Sequence, residues 1–493
     1  VTEEQLKSLP EPTQELYRGL ERRIIDRICK RLNEVGQLSS TDYYKLDRIT
    51  KIGGDIEAIK RDISNTNAIA EKEIYQAFYM AAKDDYEYQQ KMFELLNRSW
   101  TPFDKSSEML DLVEAMSRVT SAEFTNLTHT TGFVGDIAGL KKVPPHWKEL
   151  AEYYQEAVDF AAFQIRTGIT DYYNTVKETV RQLSDNGLSY IEYDNAGKKY
   201  YKRRLDSSVR NAVNGGLQRL SVAQGEIVGN EFGADGMEIS AHSGARESHQ
   251  WFQGLQFSML EFHRDIKSLL NEYNCYHRAF PIILGVSAPA YTQKELNDII
   301  SRDKETHFYQ DKEYNAYEAR QKQRQLETAI RTHKDRAKAF AAVGNKEVET
   351  IAIIKASELQ KHYKSFSHSM GLSTRPDLLT VTNFSRSQSS TMGAVTRKSK
   401  ALDSLVGLTT NTGVSVNTIS FHALEQSLNR KIRAVEIKDA LMYPLHTGII
   451  RADDSQQFVG WWATASINVE TGKLISVWST GGRLQRKYGG GKN

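Results

Sequence analysis

In "EPTQELYRGLERRIIDRICKRLNEVG" the apolar residues Leu16, Leu20, Ile24, Ile28 and Leu32 recur at four-residue steps, which places them on one face of a helix. Pro12 near the start suits a first helical turn, and Gly36 is expected as a left-handed cap at the end. The next helix, in "STDYYKLDRITKIGG", follows capping residues Ser40 and Thr41 and is expected to stop at Gly53-Gly54. Helical periodicity continues to about residue 130, with Lys, Arg, Asp and Glu on outer faces that predict a solvated surface rather than a partner.

The period changes after "KKVPPHWKEL". Pro144 and Pro145 break the pattern, and a long amphipathic segment follows from about 147 to 186. "LSYIEYDNAGKKYYKRRLD" alternates aromatic and polar residues on both sides of Asn195-Ala196-Gly197, as a β-hairpin does. A helix in "LDSSVRNAVNGGLQRLSVAQGEIVGNEFGADGMEIS" then ends in a glycine-containing turn and a short strand. Residues 303–341 read as one long charged helix. From about 382 the composition shifts to Ser and Thr in "TNFSRSQSSTMGAVTRKSK", which predicts a linker. In the last segment, one helix is expected from near Phe421, a turn at Arg430 to Arg433, and a second helix ending before Pro444. "WWATASINVETGKLISVW" then predicts a hairpin around Glu470-Thr471-Gly472-Lys473. The pattern is that of a multidomain chain. It has a mainly α-helical N-terminal region (1–146), an α+β middle domain (147–380), a linker (381–412) and a small C-terminal α+β domain (413–493), with helices followed by antiparallel sheet.

Composition narrows the function classes. A length of 493 residues exceeds one core, and a charge of +3 gives no global argument for a nucleic-acid partner. No apolar run approaches the ~20 residues of a membrane helix, and no secretion signal is expected. Cys29 and Cys275 are the only cysteines, so a disulfide framework is not expected and synthesis in a reducing cytoplasm is. Residues 413–493 carry ten Lys or Arg against six Asp or Glu, a local excess that favours an RNA partner.

The densest candidate chemistry lies in "SAHSGARESHQWFQGLQF". His242 and His249 form an H-x6-H pair, and Cys275 with His277 a later C-x-H; three imidazoles and a thiolate can form a tetrahedral zinc site. The spacing matches no standard zinc finger. The alternative is that these side chains hydrogen-bond loops around Trp251 and Phe280, with Arg246 and Gln253 binding backbone carbonyls or a neighbouring subunit. No paired nucleophile or carboxylate is spaced for hydrolysis at His242 or His249. The charged helix carries Arg320, Lys322, Arg324, Arg331, Lys334, Arg336 and Lys338, which suit either packaged DNA phosphates or a solvated, subunit-contacting face.

The ordered series "YKRRLDSSVRNAVNGGLQRL", "GADGMEISAHSGARESHQWFQGLQFS", "NCYHRAFPIILGVSAPAYTQKEL" and "YEARQKQRQLETAIRTHKDRAKAF" resembles the phage minor capsid protein 2 family of tailed phages infecting Gram-positive bacteria. The likeness runs to about residue 380, and is more distant to the F-type head-morphogenesis proteins associated with portals. It implies a virion protein made in the host bacterial cytoplasm, with the portal and other head proteins as partners and the opening motif as part of a structural core.

The C-terminal helices and hairpin resemble the barnase, EndoU, colicin and RelE-like group of small RNases. That resemblance implies metal-independent endoribonuclease chemistry, which needs a base, an acid and cations for the phosphorane-like charge. His422 is then the candidate base or acid, with His446 its rival. Arg430, Lys431 or Arg451 would stabilise phosphate, and Ser476, Ser479 or Thr480 would position it. Lys473, Arg483, Arg486 and Lys487 would bind RNA. Two other functions compete: a phage-delivered nuclease effector with an N-terminal docking module, and a purely structural protein with an inert C-terminal fold. Residues 1–380 alone are expected to suffice for incorporation into heads.

Overall fold

The computed structural model describes residues 8–37, 47–129, 132–134, 147–150, 180–181, 183, 187–193, 200–270, 275–381 and 384–489. The double proline, most of the amphipathic segment 147–186 and the hairpin turn at 195–197 lie outside them. Two compact units emerge. The first is 1–325 with 342–344 and 366–374; the second is 326–341 with 345–365 and 375–493.

In the first unit, helices Glu11–Gln37, Asp47–Leu95, Ser107–His129 and Leu205–Phe232 pack around Leu20, Ile24, Ile28, Phe78, Phe124, Val209 and Val213, all at most 1% exposed. The apolar stripe of the first helix is therefore the buried one. Gly216 lets the last helix approach closely: a Cβ there would sit 2.4 Å from Thr120 Oγ1 and 2.6 Å from Phe78 Cζ. Gly53 and Gly54 do not stop the second helix, which runs 49 residues through them. Each mid-helix glycine costs only about 1 kcal/mol, less than burial of Ile59, Ile74 and Phe78 along the same helix returns. Gly36 likewise lies inside its helix rather than capping it.

Strands β1 (Gly132–Val134), β2 (Trp147–Glu149), β3 (Ser189–Tyr193) and β4 (Tyr200–Arg204) form a sheet in the order β2-β1-β3-β4. β3 and β4 pair antiparallel from Ser189 opposite Arg204 to Tyr193 opposite Tyr200, as the alternation predicts. Gly233, at φ +81°, ends the Leu205–Phe232 helix, and β5 (Gly236–Ile239) follows. β5 is the centre of a three-stranded antiparallel sheet between β6 (Gln256–Ser258) and β7 (Ala279–Ile282).

The segment 303–341 is not one helix. Helix Gln293–Lys304 gives way to a hairpin of β8 (His307–Tyr309) and β9 (Lys312–Tyr314) before helix Ala316–Ala342 begins. Charge masks the strand signal there, but Tyr309 and Tyr314 both set their ring edges against Phe366, 5.3 and 5.2 Å away, which holds the hairpin.

The second unit is built on one hydrophobic cluster shared by Ala337, Ile353, Ile354, Val395, Leu402, Leu424, Ile437, Phe458, Ala465 and Val477. Residues 386–403, inside the segment whose composition predicts a linker, form a helix instead. Ser385 and Gln388 close a capping box at its start. Gln388, Met392, Val395, Ser399 and Leu402 are its buried positions, so its Ser and Thr content conceals a helical stripe. Helices Phe421–Asn429 and Ala434–Met442 follow, with the turn between them where the sequence places it. β10 (Thr418–Ile419), β11 (His446–Thr447), β12 (Ser455–Val459), β13 (Ala463–Asn468) and β14 (Lys473–Ser479) form a sheet in the order β10-β14-β13-β12-β11. β10 joins β14 parallel, and the other pairs are antiparallel.

Candidate functional site

Register decides which C-terminal residues meet. Phe458 lies opposite Ala465 and Ala465 opposite Val477, and all three belong to the core with the helices. Alternation along each strand then turns the neighbouring row, Gln457, Ser466 and Ser476, to the other face. Arg451 Nη2 donates to Gln457 Oε1 at 3.4 Å, which aims its guanidinium at that row. His446 lies opposite Val459, and Val459 opposite Thr464, so the imidazole shares this face.

One end of the face is aromatic and basic. The His446 ring stacks on Tyr488 with centroids 4.1 Å apart and planes within 4°. Tyr488 ends helix Gly482–Tyr488, on which Arg483, Arg486 and Lys487 are exposed. Gln485 Nε2 donates to the Trp461 carbonyl at 2.7 Å, tying this helix to the β12–β13 turn. Trp461 and Trp462 in that turn are 43% and 61% exposed, an unusual investment of large apolar surface in water.

Several predicted partners fall elsewhere. His422 is exposed near the start of its helix, with Nδ1 3.5 Å from Glu425 Oε2 and Nε2 3.3 Å from Gln426 Nε2. Its helix packs on the covered side of the sheet, so the structure does not bring His422 together with Arg451 and Ser476. Arg430 and Lys431 are exposed in the turn between the two helices, Lys431 at φ +56°. Thr480 is buried and committed: its hydroxyl donates to the Gly460 carbonyl at 2.8 Å and lies 2.9 Å from Thr464 Oγ1. Ser479 lies opposite Ala463, on the covered side, and Lys473 is exposed at the far end of the strand. Sequence reasoning misses Gln457, Ser466, Trp461, Trp462 and Tyr488; the tryptophan pair before an alternating strand is the one signal that pointed there.

The opening motif assembles in the first unit. The loop after β5 is pinned by Asp303, whose Oδ1 accepts from Ser243 Oγ at 2.7 Å and from the Gly244 N–H at 2.6 Å, and by Arg320, which donates to the Ser243 carbonyl. His249, Cys275 and His277 are buried together. His242 lies tilted against His277 with ring centroids 4.3 Å apart, outside that convergent set. Burial, then the neighbouring His242, His249 and Arg246, push His277 down to about 2, so it is neutral at ordinary pH. Gln253 Oε1 lies 3.3 Å from both His277 Nε2 and the His242 backbone N–H. Trp251 is not the packing centre, being 53% exposed; Phe252 occupies the core instead.

The basic helix spends charges within the chain. Arg331 donates to the Leu378 carbonyl and Lys334 to that of Leu379, both at 2.6 Å, and burial lowers the Lys334 pKa. No helix among the described residues is long and apolar enough to cross a membrane.

No curated protein and no solved structure gives a significant match to the chain. The model of the family described as phage minor capsid protein 2 matches residues 1–367, a span that includes the whole helical bundle, the sheet β6-β5-β7 and the His249–Cys275–His277 cluster. Covering about three quarters of the sequence, that match makes the chain a member of the phage minor capsid protein 2 family.

Proposed function

We propose that the protein is a portal-associated minor component of a tailed-phage head whose C-terminal sheet binds and cleaves RNA without a metal ion. The observation that carries the RNA half is the sheet face turned from the helices, on which His446, Arg451, Gln457, Ser466 and Ser476 lie, edged by exposed tryptophans and a basic helix. Aromatic rings beside cations suit single-stranded RNA, whose bases stack while phosphates meet Lys and Arg. In the cleavage step His446 takes the 2′-hydroxyl proton, the 2′-oxygen attacks phosphorus to form the 2′,3′-cyclic phosphate, and the P–O5′ bond breaks as the 5′-oxygen takes a proton from water. Arg451 carries the developing phosphorane charge. Family membership supports a place in the virion and head proteins as partners.

His446 supports this chemistry better than His422, because it shares one sheet face with Arg451, Ser466 and Ser476. The test is cleavage of tRNA and unstructured RNA by the full-length chain in EDTA, read as 2′,3′-cyclic phosphate ends. Loss of about 100-fold or more with His446→Ala, and little change with His422→Ala, is the expected outcome. Loss with His422→Ala alone moves the centre to the helix face. Binding without any cleavage makes the sheet a binding module, and neither binding nor cleavage makes it structural.

A further inference from the structure

Three buried side chains in the first unit, unused by the RNA chemistry, converge on a single point. Cys275 Sγ lies 3.6 Å from His249 Nδ1 and 3.5 Å from His277 Nδ1, and all three ligand atoms lie within 4.8 Å of one another. A tetrahedral zinc ion with bonds of about 2.3 Å to sulfur and about 2.0–2.1 Å to nitrogen has a sulfur–nitrogen edge of about 3.6 Å. Both observed edges match it. We propose that His249, Cys275 and His277 bind one zinc ion, with water as fourth ligand in the adjoining cavity.

The protonation pattern points the same way. The Gln253 amide oxygen only accepts, so His277 Nε2 must be its donor, and the neutral ring then presents the Nδ1 lone pair to Cys275. A thiol has one proton, and two imidazole Nδ1 atoms face this sulfur. A zinc-bound thiolate accommodates both, since both imidazoles give lone pairs to the metal. Two imidazoles and a thiolate are also the donor set that favours zinc over magnesium or calcium.

The frame is rigid enough to hold such a site. Residues 275 and 277 are two apart in the extended segment entering β7, which turns both side chains the same way. His249 comes from the 3-10 turn Glu247–His249, in the loop that Asp303 and Arg320 pin. A cavity of about 70 Å³ lined by His242, Gly244, Arg246, Tyr317 and Arg320 opens beside the three ligands, enough for a water. Zinc there would staple the loop after β5 to the strand entry of β7, stabilising the middle of the chain.

The test uses the full-length wild-type chain, reconstituted with zinc, freed of loose metal and analysed for metal content. The expected result is about one zinc per chain, and in the cobalt(II)-substituted protein tetrahedral visible bands with a thiolate-to-cobalt charge-transfer band. Cys275→Ser should abolish that band and bring zinc below about a tenth per chain, and Gln253→Leu should weaken zinc about 10–100-fold in chelator competition. A wild-type chain that holds no stoichiometric zinc, or a cobalt spectrum without the thiolate band, overturns the proposal; neither result depends on how a variant folds. Retention of zinc by a folded Cys275→Ser chain overturns it equally.

Discussion

Asp85 and Arg278 form an ion pair in the interior of the first unit, 6% and 4% exposed. Asp85 comes from helix Asp47–Leu95, while Arg278 follows His277 at the entry to β7. Ser221 Oγ, from helix Leu205–Phe232, lies 3.4 Å from Asp85 Oδ2, so three elements meet at this carboxylate. Burial pushes the Asp85 carboxyl up despite the guanidinium beside it, so desolvation is the larger effect. At a contact of about 3 Å and an effective dielectric constant near 20, attraction is about 5 kcal/mol. Desolvation costs several kcal/mol for each ion, so the pair itself is close to neutral for stability. Removing one partner is a different matter. Asp85→Ala leaves a buried guanidinium unpaired and should cost about 3–5 kcal/mol, a large part of a typical total of about 5–15 kcal/mol. Asp85→Leu with Arg278→Met removes both charges at similar volume and should recover most of that loss. Urea unfolding, with hydrogen exchange along helices 47–95 and 205–232 as the local readout, measures both. Two results refute the reasoning: Asp85→Ala within about 1 kcal/mol of wild type, or a double variant no more stable than the single one.

Two further predictions concern the second unit. His333 is held down to about 4 by burial and then by Lys355, below its ordinary value of 6.5. The unfolded chain therefore takes up the proton first as pH falls, and stability present above pH 6.5 is lost down to about pH 4. The limiting slope is about 1.36 kcal/mol per pH unit; partial exposure reduces the loss by pH 5 to about 1 kcal/mol. His333→Leu should flatten this part of the urea-midpoint profile, and an unchanged slope would refute the assignment. Gly460→Ala would put a Cβ 2.7 Å from Ala440 Cα and 2.9 Å from the Ala463 carbonyl oxygen, at the turn that carries the tryptophans. It should destabilise the sheet by about 1–3 kcal/mol, measured as a lower urea midpoint with accelerated exchange in β12 and β13; a neutral effect would mean that helix Ala434–Met442 does not press on this turn.

Local patterns were legible in the sequence and long-range meetings were not. Leu20, Ile24 and Ile28 disclose a helix face because one helical turn sets their spacing, and β13–β14 is visible because alternation and a four-residue turn coincide. The C-x-H motif is readable for the same reason, since two residues apart on an extended segment face one way. Asp85 and Arg278 lie 193 residues apart, and no local rule pairs them. The candidate RNA face was only half legible. Arg451 and Ser476 share it, but His422 does not, and the difference depends on strand register and a bulge between Ser466 and Ile467 that spacing alone cannot supply. The helix at 386–403 was hidden by composition, because its buried stripe of Met392, Val395 and Leu402 is diluted by Ser and Thr on the other faces.

The shared core of the second unit changes what the family boundary means. The matched region ends at residue 367, yet Ala337, Ile353 and Ile354 from inside it pack in the same cluster as Phe458, Ala465 and Val477 of the C-terminal sheet. Val395 and Leu402, from the helix where a linker was expected, complete that cluster. The sheet is therefore built on helices of the capsid-family region and on the following helix, not suspended from a flexible connection. A cut at residue 413 would expose the apolar faces of Leu424, Ile437 and Phe458 that these helices cover, and buried area of this kind is the main term holding so small a sheet together. The proposed RNA chemistry would thus be coupled through the core of the sheet to the helices 326–341 and 345–365, and a substitution at Ile353 or Val395 should impair it without touching His446 or Arg451.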